Sequence, residues 1–81
     1  MKQISIVIPV YNEEKFIGGL LESIARVNYP KENYEVVVIN DGSTDRTADA
    51  VRKHPDVRLI ELPENMGRYQ ARKSGAEAAR Y

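Results

Sequence analysis

Two runs of aliphatic, mostly β-branched residues leave this chain little choice of fold. Ile4 to Val10 reads Ile-Ser-Ile-Val-Ile-Pro-Val, and Tyr34 to Asn40 reads Tyr-Glu-Val-Val-Val-Ile-Asn. Neither run alternates apolar with polar over its length, which is the mark of strands covered on both faces of a parallel sheet. Parallel neighbours need a crossover rather than a tight turn, and a helical pattern lies between the two runs. Phe16, Ile17, Leu20, Leu21 and Ile24 recur at helical spacing, so a helix is expected over about 13–27, with Asn12 as N-cap and Glu13 and Glu14 in its first turn. Gly18 and Gly19 cost about 1 kcal/mol each inside a helix, and tight packing is the expected compensation. Pro9 is expected to end the first strand.

The remainder repeats the same grammar. Asp41-Gly42-Ser43 is turn chemistry, Thr44 is positioned to cap a short helix carrying Asp45 and Asp49, and His54-Pro55 closes it. Val57 to Leu62 forms a third, less apolar strand of the kind found at a sheet edge. Pro63-Glu64-Asn65-Met66-Gly67 opens a last helix whose Ala71, Gly75, Ala78 and Ala79 permit close approach to a sheet. The order β-α-β-α-β-α predicts an α/β fold with parallel strands and right-handed crossovers. The 81 residues fit a single domain, and Ala79-Arg80-Tyr81 supplies no glycine cap, so an incomplete domain spanning 1–81, the amino-terminal piece of a longer chain, is expected.

Charge narrows the partners. Twelve Lys+Arg balance twelve Asp+Glu, so no global field gathers a polyanion, and nucleic acid is not an expected partner. No apolar run is long enough to cross a bilayer, and Met1-Lys2-Gln3 leads straight into a strand-like segment, so no signal peptide is expected. With no cysteine the redox compartment stays open.

Ligands of open parallel sheets bind beyond the carboxyl ends of the strands. Here those ends carry Tyr11-Asn12-Glu13, Asp41-Gly42-Ser43 and Glu64-Asn65-Met66-Gly67. Together they offer an aromatic face, a carboxylate and helix amino termini, a set suited to a nucleotide. Each residue also has a plain structural reading: Tyr11 as a core plug, Asp41 and Ser43 as turn and cap, Gly67 as a hinge. Arg68, Arg72 and Lys73 suit a diphosphate or a solvated face equally. There is no Gly-x-x-x-x-Gly-Lys-Ser/Thr run and no Gly-x-Gly-x-x-Gly after either of the first two strands, which removes the usual phosphate loops. A calcium loop beginning at Asp41 fails, because Arg46 and Arg52 stand where Gly and Glu are required. His54, the one histidine, has no thiol to work with and lies before a proline at a helix end, so it is not expected to be catalytic.

Three blocks then carry a resemblance. Ser5-Ile6-Val7-Ile8-Pro9-Val10-Tyr11-Asn12-Glu13-Glu14, then Val37-Val38-Ile39-Asn40-Asp41-Gly42-Ser43-Thr44-Asp45-Arg46-Thr47, then Asn65-Met66-Gly67 with Ala71-Arg72-Lys73-Ser74-Gly75, resemble the family 2 glycosyltransferases across essentially the whole chain. The resemblance implies a partial GT-A domain, three-layered and Rossmann-like with a parallel three-stranded sheet. It implies inverting transfer of a sugar from a nucleoside diphosphate sugar to an acceptor hydroxyl. By the same resemblance Pro9 and Tyr11 wall the base, Glu13 lies near the ribose, Asp41 reads the base, and Gly67 and Arg72 approach the nucleotide.

The family's Asp-x-Asp motif, which brings Mg or Mn to the diphosphate, and its later acidic base have no counterpart in these residues. The chain by itself is therefore expected to be inactive. In the family the first strand also pairs with a strand this chain lacks, so self-association through strand 4–10 is expected. The expected location is cytoplasmic, or the cytoplasmic face of a membrane if the longer chain carries a carboxyl-terminal anchor. A noncatalytic nucleotide-binding or self-assembling α/β module is the alternative, and a phosphoacceptor domain using Asp41 a more distant one.

Overall fold

The computed structural model describes residues 2–81. Its elements are β1 (Ile4–Val10), α1 (Ile17–Ala25), a 3₁₀ turn (Lys31–Asn33), β2 (Tyr34–Asn40), α2 (Thr47–Arg52), β3 (Arg58–Glu61) and α3 (Arg68–Ala78). The three strands form one parallel sheet in the order β1-β2-β3. Register runs from Ile4 opposite Tyr34 to Val10 opposite Asn40, and from Val37 opposite Arg58 to Asn40 opposite Glu61. This is the expected α/β architecture.

Helices cover both faces, which explains the unbroken apolar runs. Ile17, Leu21 and Val51 from α1 and α2 pack with Val10, Val36 and Val38 on one face. On the other face, Ala71 of α3 packs with Val37 and Ile39, and Val7, Ile60 and Leu62 extend that cluster. Val36 through Asn40 are all buried because β2 is central and covered twice. The small residues of α3 do what their size allows: a Cβ on Gly75 would collide with Val7 and crowd Ile39, so glycine lets the helix settle onto the sheet.

Several local expectations fail for identifiable reasons. Helix α1 begins at Ile17 rather than near residue 13, with Phe16 at the cap position and no side-chain cap. Asn12 is not its cap; it is drawn out of the helix by bonds to the second turn, with φ at 53°. At the far end α1 stops at Ala25, whose carbonyl accepts from Lys31 Nζ at 2.9 Å. Tight packing around Gly18 and Gly19 is absent, since a Cβ at either position would meet nothing within 4 Å.

Helix α2 starts at Thr47, and Asp45 rather than Thr44 accepts from its first N–H, at 2.9 Å. Pro9 does not end β1. The Val10 carbonyl faces β2, where it accepts from Asp41 N–H, so strand alternation turns Pro9 to the outer side, which asks no donor of it among the described residues. No helix among the described residues is long and apolar enough to cross a membrane.

Candidate functional site

Parallel strands send all three following turns to one rim, and side chains there lace the turns together. Between the first and second turns, Asp41 N–H donates to the Val10 carbonyl and Asn12 N–H to Ser43 Oγ, both at 2.9 Å. Asn12 Oδ1 accepts from Thr44 N–H at 2.9 Å, and Glu13 N–H donates to Thr47 Oγ1 at 2.9 Å. The Thr47 hydroxyl in turn donates to Asp45 Oδ1, and Asp45 Oδ2 accepts from Glu14 N–H at 3.4 Å. Burial alone would raise the Asp45 pKa, but the bonds from Thr47 and from the Glu14 amide outweigh it and hold the group below the ordinary carboxylate range.

The second and third turns meet at Asp41, which is 4% exposed. Its Oδ1 accepts from Met66 N–H at 2.7 Å and its Oδ2 from Gly67 N–H at 3.0 Å, while Asn65 Nδ2 lies 3.4 Å from Oδ2. Gly42 makes this approach possible. It holds φ at 68°, and a Cβ there would strike the backbone of Glu64 and Asn65. Both Asp41 oxygens therefore have partners from the third turn, and they hold in place the two residues that lead into α3.

The other expected site residues divide between presentation and support. Tyr11 stands at the rim, 45% exposed. Pro9 is half-buried at the outer edge of β1, and Glu13 is half-buried in the first turn. Gly67, with φ at 90°, is the cap residue of α3. Arg72 is exposed a little over one helical turn further on and makes no hydrogen bond or ion pair with rim residues among the described residues. The structure thus brings Tyr11, Glu13, Asp41 and Gly67 to one border and leaves Arg72 beside it. Residues that sequence reasoning passed over are Asn12 as a link, Thr47, Asp45, and Gly42 as the seat of the third turn. An Asp-Gly pair after a strand already announces positive φ, but a contact between separate turns has no local signature.

The rim bears a cleft of about 270 Å³ lined by Asn12, Glu14, Lys15, Phe16 and Asp45. A larger one, about 350 Å³, lies at the opposite end of the sheet between Leu21, Ile24, Tyr34, His54 and Val57. His54 is thus remote from the rim turns. Among the described residues no three acidic or histidine side chains are grouped to hold a metal ion.

Comparison with known proteins gives these features a setting. The family described as Glycosyl transferase family 2 matches residues 5–81. Poly(ribitol-phosphate) beta-N-acetylglucosaminyltransferase TarS of Staphylococcus aureus is 40% identical over 83% of the chain, which spans 12% of that relative. Dodecaprenyl-phosphate galacturonate synthase of Rhizobium johnstonii is 36% identical over 96% of the chain, which spans 25% of it. Among solved structures, S. aureus TarS 1-349 in complex with UDP-GlcNAc superposes with TM-score 0.90 at 36% identity, covering 95% of this chain and 23% of that one. Mannosyltransferase PcManGT from Pyrobaculum calidifontis in complex with GDP-Man and Mn2+ superposes with TM-score 0.88 at 35% identity, covering 95% and 24%. The fold is that of the GT-A glycosyltransferases.

Proposed function

We propose that this chain, because it belongs to glycosyl transferase family 2, supplies the donor-nucleotide side of a sugar-transfer site. The observation that carries the proposal is the lacing of three turns onto one rim, with an exposed aromatic ring at the first turn and the amino terminus of α3 at the third. In this reading Pro9 and Tyr11 form the wall for the base, Glu13 faces the ribose, and Gly67 lets the chain approach the diphosphate closely. Arg72 supplies positive charge on the same side. Asp41 borders the base site, and reading the base edge requires it to share the oxygens that now accept from Met66 and Gly67. Relatives held with UDP-GlcNAc and with GDP-Man support a nucleoside diphosphate sugar as donor for the whole protein.

The residues in hand do not fit a catalytic metal. Asp41 is occupied by amides and Asp45 by Thr47 and Glu14, so no step is assigned to Mg or Mn on this chain. Among the described residues no rim side chain is assigned as base for an acceptor hydroxyl. The chain alone binds nucleotide without transferring sugar. Calorimetric titration with UDP, GDP and CDP, with and without manganese, is expected to give saturable binding to at least one of the three. Heat from none of them at millimolar ligand would contradict the assignment.

A second reading rests on β1. Its outer edge has no strand partner among the described residues, and Ile4 at its start is exposed, so this edge is suited to pair with another chain or segment. Pro9 removes one donor there and limits the pairing to the first part of the strand. Light scattering at rising concentration is expected to show self-association; a monomer throughout would remove this reading.

A further inference from the structure

We infer that Asn12 is a positioning residue for donor binding: it fixes the backbone on which Tyr11 and Glu13 are presented, through a clasp to Ser43 and Thr44. The inference rests on the donor-site reading above and adds to it the residue that shapes the first wall. Asn12 is the one non-glycine residue with positive φ among the described residues, at 53°. Asparagine tolerates that left-handed conformation better than most side chains, and here the surroundings hold it from three sides. Its N–H is tied to Ser43 Oγ and its Oδ1 to Thr44 N–H, each at 2.9 Å, with the Thr44 hydroxyl a weaker third partner at 3.4 Å.

What flanks this residue gives the clasp its consequence. On one side Val10 is pinned to β2 through its carbonyl, and on the other Glu13 is pinned to Thr47 through its N–H. Tyr11 lies between, exposed and without a hydrogen bond of its own to another rim side chain, so its direction is set by the backbone turn at Asn12. Without the carboxamide, Thr44 N–H loses its partner and the turn relaxes into several conformations. Binding then carries the entropy of ordering the wall again.

The test uses three substitutions in the intact chain, with UDP, GDP and CDP as probes at a temperature well below melting. Asn12→Gly keeps the left-handed backbone and removes the acceptor; Asn12→Asp keeps both; Asn12→Ala keeps neither. Asn12→Gly is expected to weaken the nucleotide that binds the parent chain by about tenfold, the size of one well-made hydrogen bond, and Asn12→Asp to recover affinity to within about threefold. Asn12→Ala is expected to be weaker than Asn12→Gly. If all three variants melt earlier yet bind as the parent does, the residue serves stability alone and the inference is wrong. It is equally wrong if Asn12→Asp is as weak as Asn12→Gly. A parent chain that binds none of the three nucleotides defeats the donor-site reading itself, a result distinct from the other two.

Discussion

The two ends of the sheet are each gathered by one carboxylate, and they use it differently. At the carboxyl end Asp41 is buried and accepts from backbone N–H groups of a single turn, Met66 and Gly67. At the amino end Glu35, with its side chain 11% exposed, accepts from the Ser5 hydroxyl at 2.7 Å, Arg58 Nη1 at 3.0 Å and Arg80 N–H at 2.6 Å. Arg58 also donates to the Ala78 carbonyl, so the closing turn of α3 is tied to three strands. The amino end is a closed ion cluster that spends its polar groups on each other. The carboxyl end places its bonds between turns and leaves Tyr11 free at the surface. An arrangement of that second kind holds a ligand site without filling it.

One pair of isosteric changes sharpens the contrast. Asp41→Asn is expected to have the larger effect, about 2 kcal/mol of stability by denaturant titration, because its new NH₂ must face an N–H that cannot turn away. Glu35→Gln is expected to cost about 1 kcal/mol. Its new NH₂ also faces a backbone N–H, that of Arg80, but Arg80 lies in the exposed segment after α3, which can shift aside; the Ser5 hydroxyl can rotate to accept, and the ion pair with Arg58 is partly open to water. Equal losses would mean the two ends are built alike.

Acid makes the same distinction. The Arg80 N–H bond, against the opposing pull of burial and aided by Ser5 and Arg58, lowers the Glu35 pKa from 4.5 to about 2. A carboxyl more acidic in the folded state than in the unfolded one stabilises the fold fully above the unfolded value, and that part is lost as pH falls from 4.5 towards about 2. Glu35→Gln should therefore flatten the acid limb of stability in that window. An unchanged limb would show that Glu35 is not held as described.

What could be read from the chain beforehand follows the range of the forces involved. The unbroken run Val36 to Ile39 announces a strand covered twice, and Ala71 and Gly75 announce a helix that sits close, because hydrophobic patterning and side-chain size are local signals. The gathering of three polar turns followed from parallel topology alone. The bonds within the rim did not, because Asn12 to Thr44, Glu13 to Thr47 and Asp41 to Gly67 join residues far apart in sequence. Those same bonds moved the start of α1 from residue 13 to Ile17, where capping rules favoured Asn12. Gly18 and Gly19 remain without a packing explanation in this structure.

On the proposed reading the laced rim, and not the roomier cleft at the other end, receives the nucleotide. Amide chemical shifts of the isotope-labelled chain, followed while UDP, GDP and CDP are added, test it directly. Saturating shifts are expected at Tyr11, Asp41 and Gly67 for at least one nucleotide, with Tyr34, Glu35 and Val57 unmoved. Shifts concentrated at Tyr34 and Val57 with the rim silent would contradict it.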